Sequence, residues 1–123
     1  MSPALEQAKY INLVTFRKDG REVSTPVWCV ALNGKLYFYT NGNMGKVKRI
    51  RASGRVRVAP SDARGKPLGE WSEGKGRIVG EPELLARIYR ALAAKYGLVY
   101  QALNFFAWIG RKQKERIAVE LAV

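Results

Sequence analysis

Residues 37–52 read YFYTNGNMGKVKRIRA, and they combine a strand end, a turn of small residues and the start of a basic helix. Backbone N–H groups at a helix N-terminus face an anion, and the helix dipole favours its charge. Lys46 stands at that point and would add a charge-assisted hydrogen bond. Lys46 and Arg49 are three residues apart and share one helix face, whereas Lys48 and Arg51 share another. Two basic faces flanking the apolar Val47 and Ile50 could grip an extended anion. The competing reading is a solvated basic helix. No GxxxxGK[ST] pattern occurs, so nucleotide hydrolysis finds no support.

Two further segments carry candidate chemistry. In Thr25-Pro26-Val27-Trp28, proline cannot donate to a sheet ladder, so a ligand could dock against that strand beside the flat face of Trp28. A strand bulge with a core tryptophan explains the same residues. In RVRVAP, Arg55 and Arg57 alternate on a strand and point one way, next to Ala59 and Pro60. They either extend the positive groove or decorate the surface.

What is missing is equally informative. The chain has no histidine and a single cysteine, Cys29. The commonest general base and the usual zinc ligands are therefore absent, and no metal site is expected. The serines have no triad partner, and Glu70, Glu73, Glu81 and Glu83 form no spaced acid–base pair. No residue stands out as a proton donor; water or Tyr39 could supply one. Such a chain suits chemistry carried by a bound cofactor, which the protein binds and orients. The net charge of +12 over 123 residues implies an acidic partner. No signal-peptide-like segment or bilayer-length apolar run occurs, and the lone cysteine agrees with a reducing compartment, so a cytoplasmic location is expected.

The elements that must position these residues follow from pattern. Gln7 to Arg17 reads as a strand, and Lys18-Asp19-Gly20-Arg21 as a type I′ hairpin turn. Val23 to Leu32 forms a second strand interrupted by Pro26. Asn33-Gly34 turns into a third, Lys35 to Thr40. Gly45 to Ala52 is a short helix, Arg55 to Pro60 a strand, and Glu70 to Val79 another whose Gly74 and Gly76 suggest a bulge. Pro82 opens a helix with 3.6-residue periodicity, and Gly97 closes it. Leu98 to Ile109 is an apolar second helix, suited to a buried subunit contact. Ile117 to Val123 alternates as the last strand. One domain, 1–123, is expected: mainly β with small helices (α+β), about six antiparallel strands closing as a small barrel.

The segments STPVW, YFYTNGNMGKVKRIR and RVRVAP, in this order and spacing, resemble the pyridoxamine 5′-phosphate oxidase-like split β-barrel superfamily. The hairpin TFRKDGREVSTPVW and the later DARGKP are similar to its small deazaflavin (coenzyme F420)-dependent reductases. The resemblance runs from about Tyr10 to Val123. It implies an antiparallel six-stranded split barrel of FMN-binding type, a homodimer with two cofactor sites at the subunit interface, and hydride transfer between the reduced cofactor and a small electron-poor organic substrate. It places Thr25, Pro26, Val27 and Trp28 beside the cofactor ring. It places Thr40, Gly45, Lys46 and Val47, with Lys48 and Arg51, at the phosphate, and Arg57, Ala59 and Pro60 next to it. Met44 stands where relatives carry a small polar residue. The deazaflavin bears an oligoglutamate tail and FMN a single phosphate; the basic balance favours the deazaflavin, with FMN the alternative. An FMN-binding protein of the superfamily, a cofactor carrier without turnover and a basic barrel binding single-stranded nucleic acid remain the alternative functions.

Overall fold

The computed structural model describes residues 1–41, 45–109 and 116–123, with the backbone alone at 41, 98–109 and 116. The elements in chain order are α1 (Pro3–Gln7), β1 (Tyr10–Phe16), β2 (Glu22–Trp28), β3 (Val30–Leu32), β4 (Lys35–Asn41), α2 (Gly45–Ser53), β5 (Arg55–Ser61), β6 (Ser72–Val79), α3 (Pro82–Ile109) and β7 (Arg116–Ala122). Among the described residues, seven strands form one antiparallel sheet in the order β2-β1-β5-β6-β7-β4-β3.

The two terminal strands of that order, β2 and β3, are consecutive in sequence and separated only by Cys29. The sheet therefore curls until its ends meet in a single stretch of chain, which is how a barrel limits its exposed edges. The expected strand Val23 to Leu32 is thus two, and the strand count is seven rather than six. Pro26 lies on the terminal strand β2, where a missing N–H costs no ladder bond on the open side.

Strand alternation sorts side chains by face. Ile11, Leu13, Val56, Val58, Leu36, Phe38, Val119 and Leu121 fill the barrel interior, joined at the ends by Leu5 of α1 and Ile50 of α2. On the outside, Val30, Tyr37, Val79 and Ala118 pack against Ile88 and Leu92 of α3. The helical period of Leu84, Leu85, Ile88 and Leu92 thus serves the outer face of the barrel. Gly97 takes φ 64°, ψ −141° and interrupts α3 there, as the expected stop requires. The side chains of Leu98 to Ile109, expected at a subunit contact, lie outside the described residues.

Two local expectations change, and one short helix is added. Asn33 and Gly34 both have positive φ, so that hairpin is type I′. At the first hairpin only Gly20 does; Gly20 N–H donates to Arg17 O and Arg17 N–H to Arg21 O, each at 2.9 Å, giving a three-residue loop closed by a left-handed glycine instead. Gly74 and Gly76 have no positive φ: a Cβ at Gly74 would collide with Ala122 O, and one at Gly76 would press on Ile50 at 3.1 Å, so both glycines serve close approach. Helix α1 escaped the sequence reading because its five residues are too short for periodicity; Ser2 caps it, accepting from Leu5 N–H.

Candidate functional site

Helix α2 plugs one end of the barrel because Val47 and Ile50 are its buried face. That seating decides the fate of its four cations. Lys48 and Arg51 point to solvent, Arg49 is half-buried, and Lys46 is only 9% exposed. Arg49 Nε donates to Thr15 Oγ1 of β1 at 2.6 Å. A Cβ at Gly45 would stand 2.7 Å from Arg49 Nη1, so this guanidinium lies back along the first turn of α2, in space that only glycine leaves open.

Among the described residues no carboxylate compensates these charges. Burial, and then the Arg49 charge, lowers the pKa of Lys46; burial, and then Arg17, lowers that of Arg49. The ion pairs among the described residues engage Arg21, Lys35, Arg55, Arg57 and Arg77, and none engages Lys46, Arg49 or Arg17. A buried ammonium without a carboxylate is costly. An incoming anion removes that cost, and the N–H groups of the helix turn add to the pull. Thr40, at the end of β4 opposite Ile117, is half-buried at the strand that leads into this helix. Met44, where a small polar residue is usual in the resembling proteins, lies outside the described residues.

The other expected residues distribute over two faces. Thr25 and Val27 stand opposite Leu13 and Ile11, the row that lines the barrel interior; Pro26 and Trp28 stand opposite Asn12 and Tyr10 on the outside. Trp28 stacks on Tyr96 of α3, ring centroids 4.7 Å apart and planes 9° from parallel, so one of its faces is already covered. On β5, Arg57 and Ala59 pair with Val14 and Asn12 and share the outside, while Pro60 stands opposite Ile11. Arg57 is bound to Glu22 at 2.6 Å and lies over the Trp71 ring. It therefore belongs to the outer face with Pro26, away from the α2 cluster. Arg57 Nε and Asn12 Oδ1 are buried without a hydrogen-bond partner among the described residues, and Asn12 Nδ2 donates to Gly65 O at 2.6 Å. Tyr39, considered as a proton source, donates its hydroxyl to Leu85 O at 2.7 Å.

Arg49 was not among the residues chosen from sequence. Its i, i+3 relation to Lys46 was the available signal; the resemblance implies Lys48 and Arg51 instead, and a motif match does not tell the seated face from the free one. Cys29 is buried, and burial pushes its thiol up to about 11, so it is no nucleophile. Among the described residues no group of acidic or cysteine side chains could hold a metal, and no helix is long and apolar enough to cross a membrane.

The donor set of a buried lysine, an adjoining anchored arginine and an open helix turn, without a carboxylate partner among the described residues, fits a phosphate-bearing cofactor. The family model described as pyridoxamine 5′-phosphate oxidase matches residues 1–122. No curated protein matches the chain. Among solved structures, the chain is similar to a conserved hypothetical protein of Mycobacterium tuberculosis, at 21% identity and TM-score 0.72, covering 98% of this chain and 79% of that one. It is similar to the haem storage protein HutZ of Vibrio cholerae at 10% identity and TM-score 0.72, covering 96% and 83%. A structure named F420 reductase aligns at 19% identity and TM-score 0.61, covering 96% and 88%. At these identities the likeness to solved structures is one of fold.

Proposed function

This chain belongs to the pyridoxamine 5′-phosphate oxidase family, and from that premise we propose that it is a flavin- or deazaflavin-dependent oxidoreductase acting on a small electron-poor organic molecule. The observation that carries the reading is Lys46, buried beside Arg49 with no carboxylate partner among the described residues. Lys46, the Gly45–Val47 turn and Arg49 would hold the cofactor phosphate. Thr25, Pro26, Val27 and Trp28 of the terminal strand β2 would border the ring. Hydride transfer is the chemistry supplied when the cofactor is bound. What the chain contributes is binding, orientation and exclusion of water, in keeping with its lack of histidine and paired acids.

The deazaflavin is the favoured cofactor because exposed Lys48 and Arg51 continue the positive surface beyond Lys46, which suits a ligand with more than one negative group. A homodimer is part of the proposal, as is a cytoplasmic location. Leu68 and Trp71, 66% and 39% exposed, leave apolar surface on the β5–β6 connection for a second copy to cover. The fold likeness to a haem storage protein carries less weight, because this chain has no histidine to ligate haem iron.

Titration of the purified protein with FMN and with the deazaflavin, followed by fluorescence, tests the proposal. Micromolar or tighter binding of one cofactor is the expected result, and binding of neither overturns it.

A further inference from the structure

A groove of about 530 Å³ lies between the β1–β2 turn and α2. Arg17 and Lys18 come from the turn, Lys48 and Arg49 from α2, and Arg55 from the start of β5; among the described residues no acidic one lines it. Its volume is that of a small-molecule site. Neither Lys46 nor any residue of β2 lines it, so it is separate from the corner assigned above to the cofactor phosphate.

Two details show that the cations are arranged rather than merely abundant. Asp19, the nearest acid in sequence, turns both carboxylate oxygens onto Arg21, accepting from its backbone N–H at 3.1 Å and from Nε at 2.7 Å. Its charge is thereby engaged outside the groove lining. Arg55 Cζ lies over the Phe16 ring, 4.0 Å from its centroid, and Arg49 is pinned by Thr15, so two guanidiniums are presented in held positions. Holding such cations together works against their mutual repulsion; the Arg17 charge lowers the pKa of Arg49. Arg55 alone has an acidic partner, Glu73 at 3.5 Å, and both side chains of that pair are more than half exposed, so it is weak.

We propose that this groove is a second anion site, which takes a linear polyanion of closely spaced phosphates or carboxylates. A single monovalent ion would leave most of the five cations unmatched, whereas a chain of charges meets Arg17, Arg49 and Arg55 in turn, the guanidiniums offering bidentate geometry. The site does not depend on the cofactor reading: it shares with that reading Arg49 and Lys48, whereas Arg17, Lys18 and Arg55 are its own.

Calorimetric titrations of the whole protein with tripolyphosphate, tetraglutamate and orthophosphate test it. Tripolyphosphate or tetraglutamate should bind, with an affinity that falls as salt is raised. The surface double variant Arg17→Ala/Lys18→Ala should weaken that binding by about tenfold or more, the equivalent of one charged hydrogen bond, with its circular dichroism unchanged. Lys46→Met should leave it unchanged while weakening FMN or deazaflavin, so the two sites fail separately. Orthophosphate binding as tightly as the polyanions, loss of polyanion binding in Lys46→Met alone, or full affinity in the double variant would each overturn the proposal.

Discussion

The hydroxyl of Tyr96 stands 2.9 Å from the backbone nitrogen of Cys29 and 2.8 Å from its carbonyl oxygen. Cys29 is the residue at which one run of chain leaves β2 and enters β3, and the phenol oxygen accepts from its N–H as a neighbouring strand otherwise would. The Tyr96 proton is shared between Cys29 O and Lys9 O, the latter 2.6 Å away. Lys95 donates to Cys29 O at 2.7 Å and to Ala8 O at 2.6 Å. Helix α3 therefore clamps the seam of the barrel.

Tyr96→Phe keeps the ring against Trp28 and removes only the hydroxyl. Leaving the Cys29 N–H without its acceptor should cost about 1–3 kcal/mol of folding stability. Urea denaturation measures it, and a midpoint equal to that of the parent would show that the clamp does not stabilise the seam.

Lys46→Met should move stability and binding in opposite directions. The pKa of Lys46 is lowered on folding, so below it the unfolded chain binds the proton more readily and the ligand-free protein is penalised. Stability should rise as pH climbs through the lowered value towards 10.5, and the variant should lack that rise. With the buried charge gone, the variant should be at least as stable at neutral pH. Its affinity for FMN or the deazaflavin should fall by about 1.5–3 kcal/mol. Thermal melts across pH and fluorescence titrations read the two effects.

Gly45→Ala should leave the fold intact, since α2 accepts alanine readily. The new Cβ would displace Arg49 Nη1, the far end of a flexible side chain, from its place 2.7 Å away. Weaker cofactor binding with an unchanged melting curve is the expected pair of results; unaltered binding would remove the Arg49 guanidinium from the phosphate corner.

Acid sensitivity should centre on Glu120. This buried carboxylate accepts from Tyr37 Oη at 2.9 Å, Arg77 Nη2 at 3.0 Å and Lys35 Nζ at 3.3 Å. The Arg77 hydrogen bond, the largest influence, holds it below the ordinary glutamate value, while burial and then Glu120 push Tyr37 up to about 12. Arg77 also holds Glu81 down to about 2. Carboxyls lowered on folding stabilise above their unfolded value of 4.5 and lose that contribution as pH falls through the folded one. Glu120→Gln should cost about 1.5–3 kcal/mol at pH 7 and flatten the acid limb of a stability–pH curve below 4.5. An acid limb as steep as the parent's would mean that other carboxyls control it.

Much of this protein is written locally. Alternation in RVRVAP, the Asn33-Gly34 turn, the periodic run after Pro82 and the left-handed Gly97 each express an interaction between near neighbours, and each is realised. The charge cluster after β4 and the order of the three motifs were likewise readable, and they led to the family. What the linear chain does not carry is the break at Cys29. VSTPVWCVAL holds no turn residue at that point; the strand divides because the sheet curls to meet itself, and the groups that receive Cys29 come from Lys95 and Tyr96, far along the chain. Nor does it carry the choice of cation on α2. Lysine and arginine occupy three sides of that helix, and only its seating through Val47 and Ile50, with Thr15 and Arg17 brought alongside from β1 and its turn, buries Lys46, half-buries Arg49 and leaves Lys48 and Arg51 in water. Periodicity shows which residues share a face, but which charged face is turned inward is decided by packing between segments that meet only once the barrel has closed.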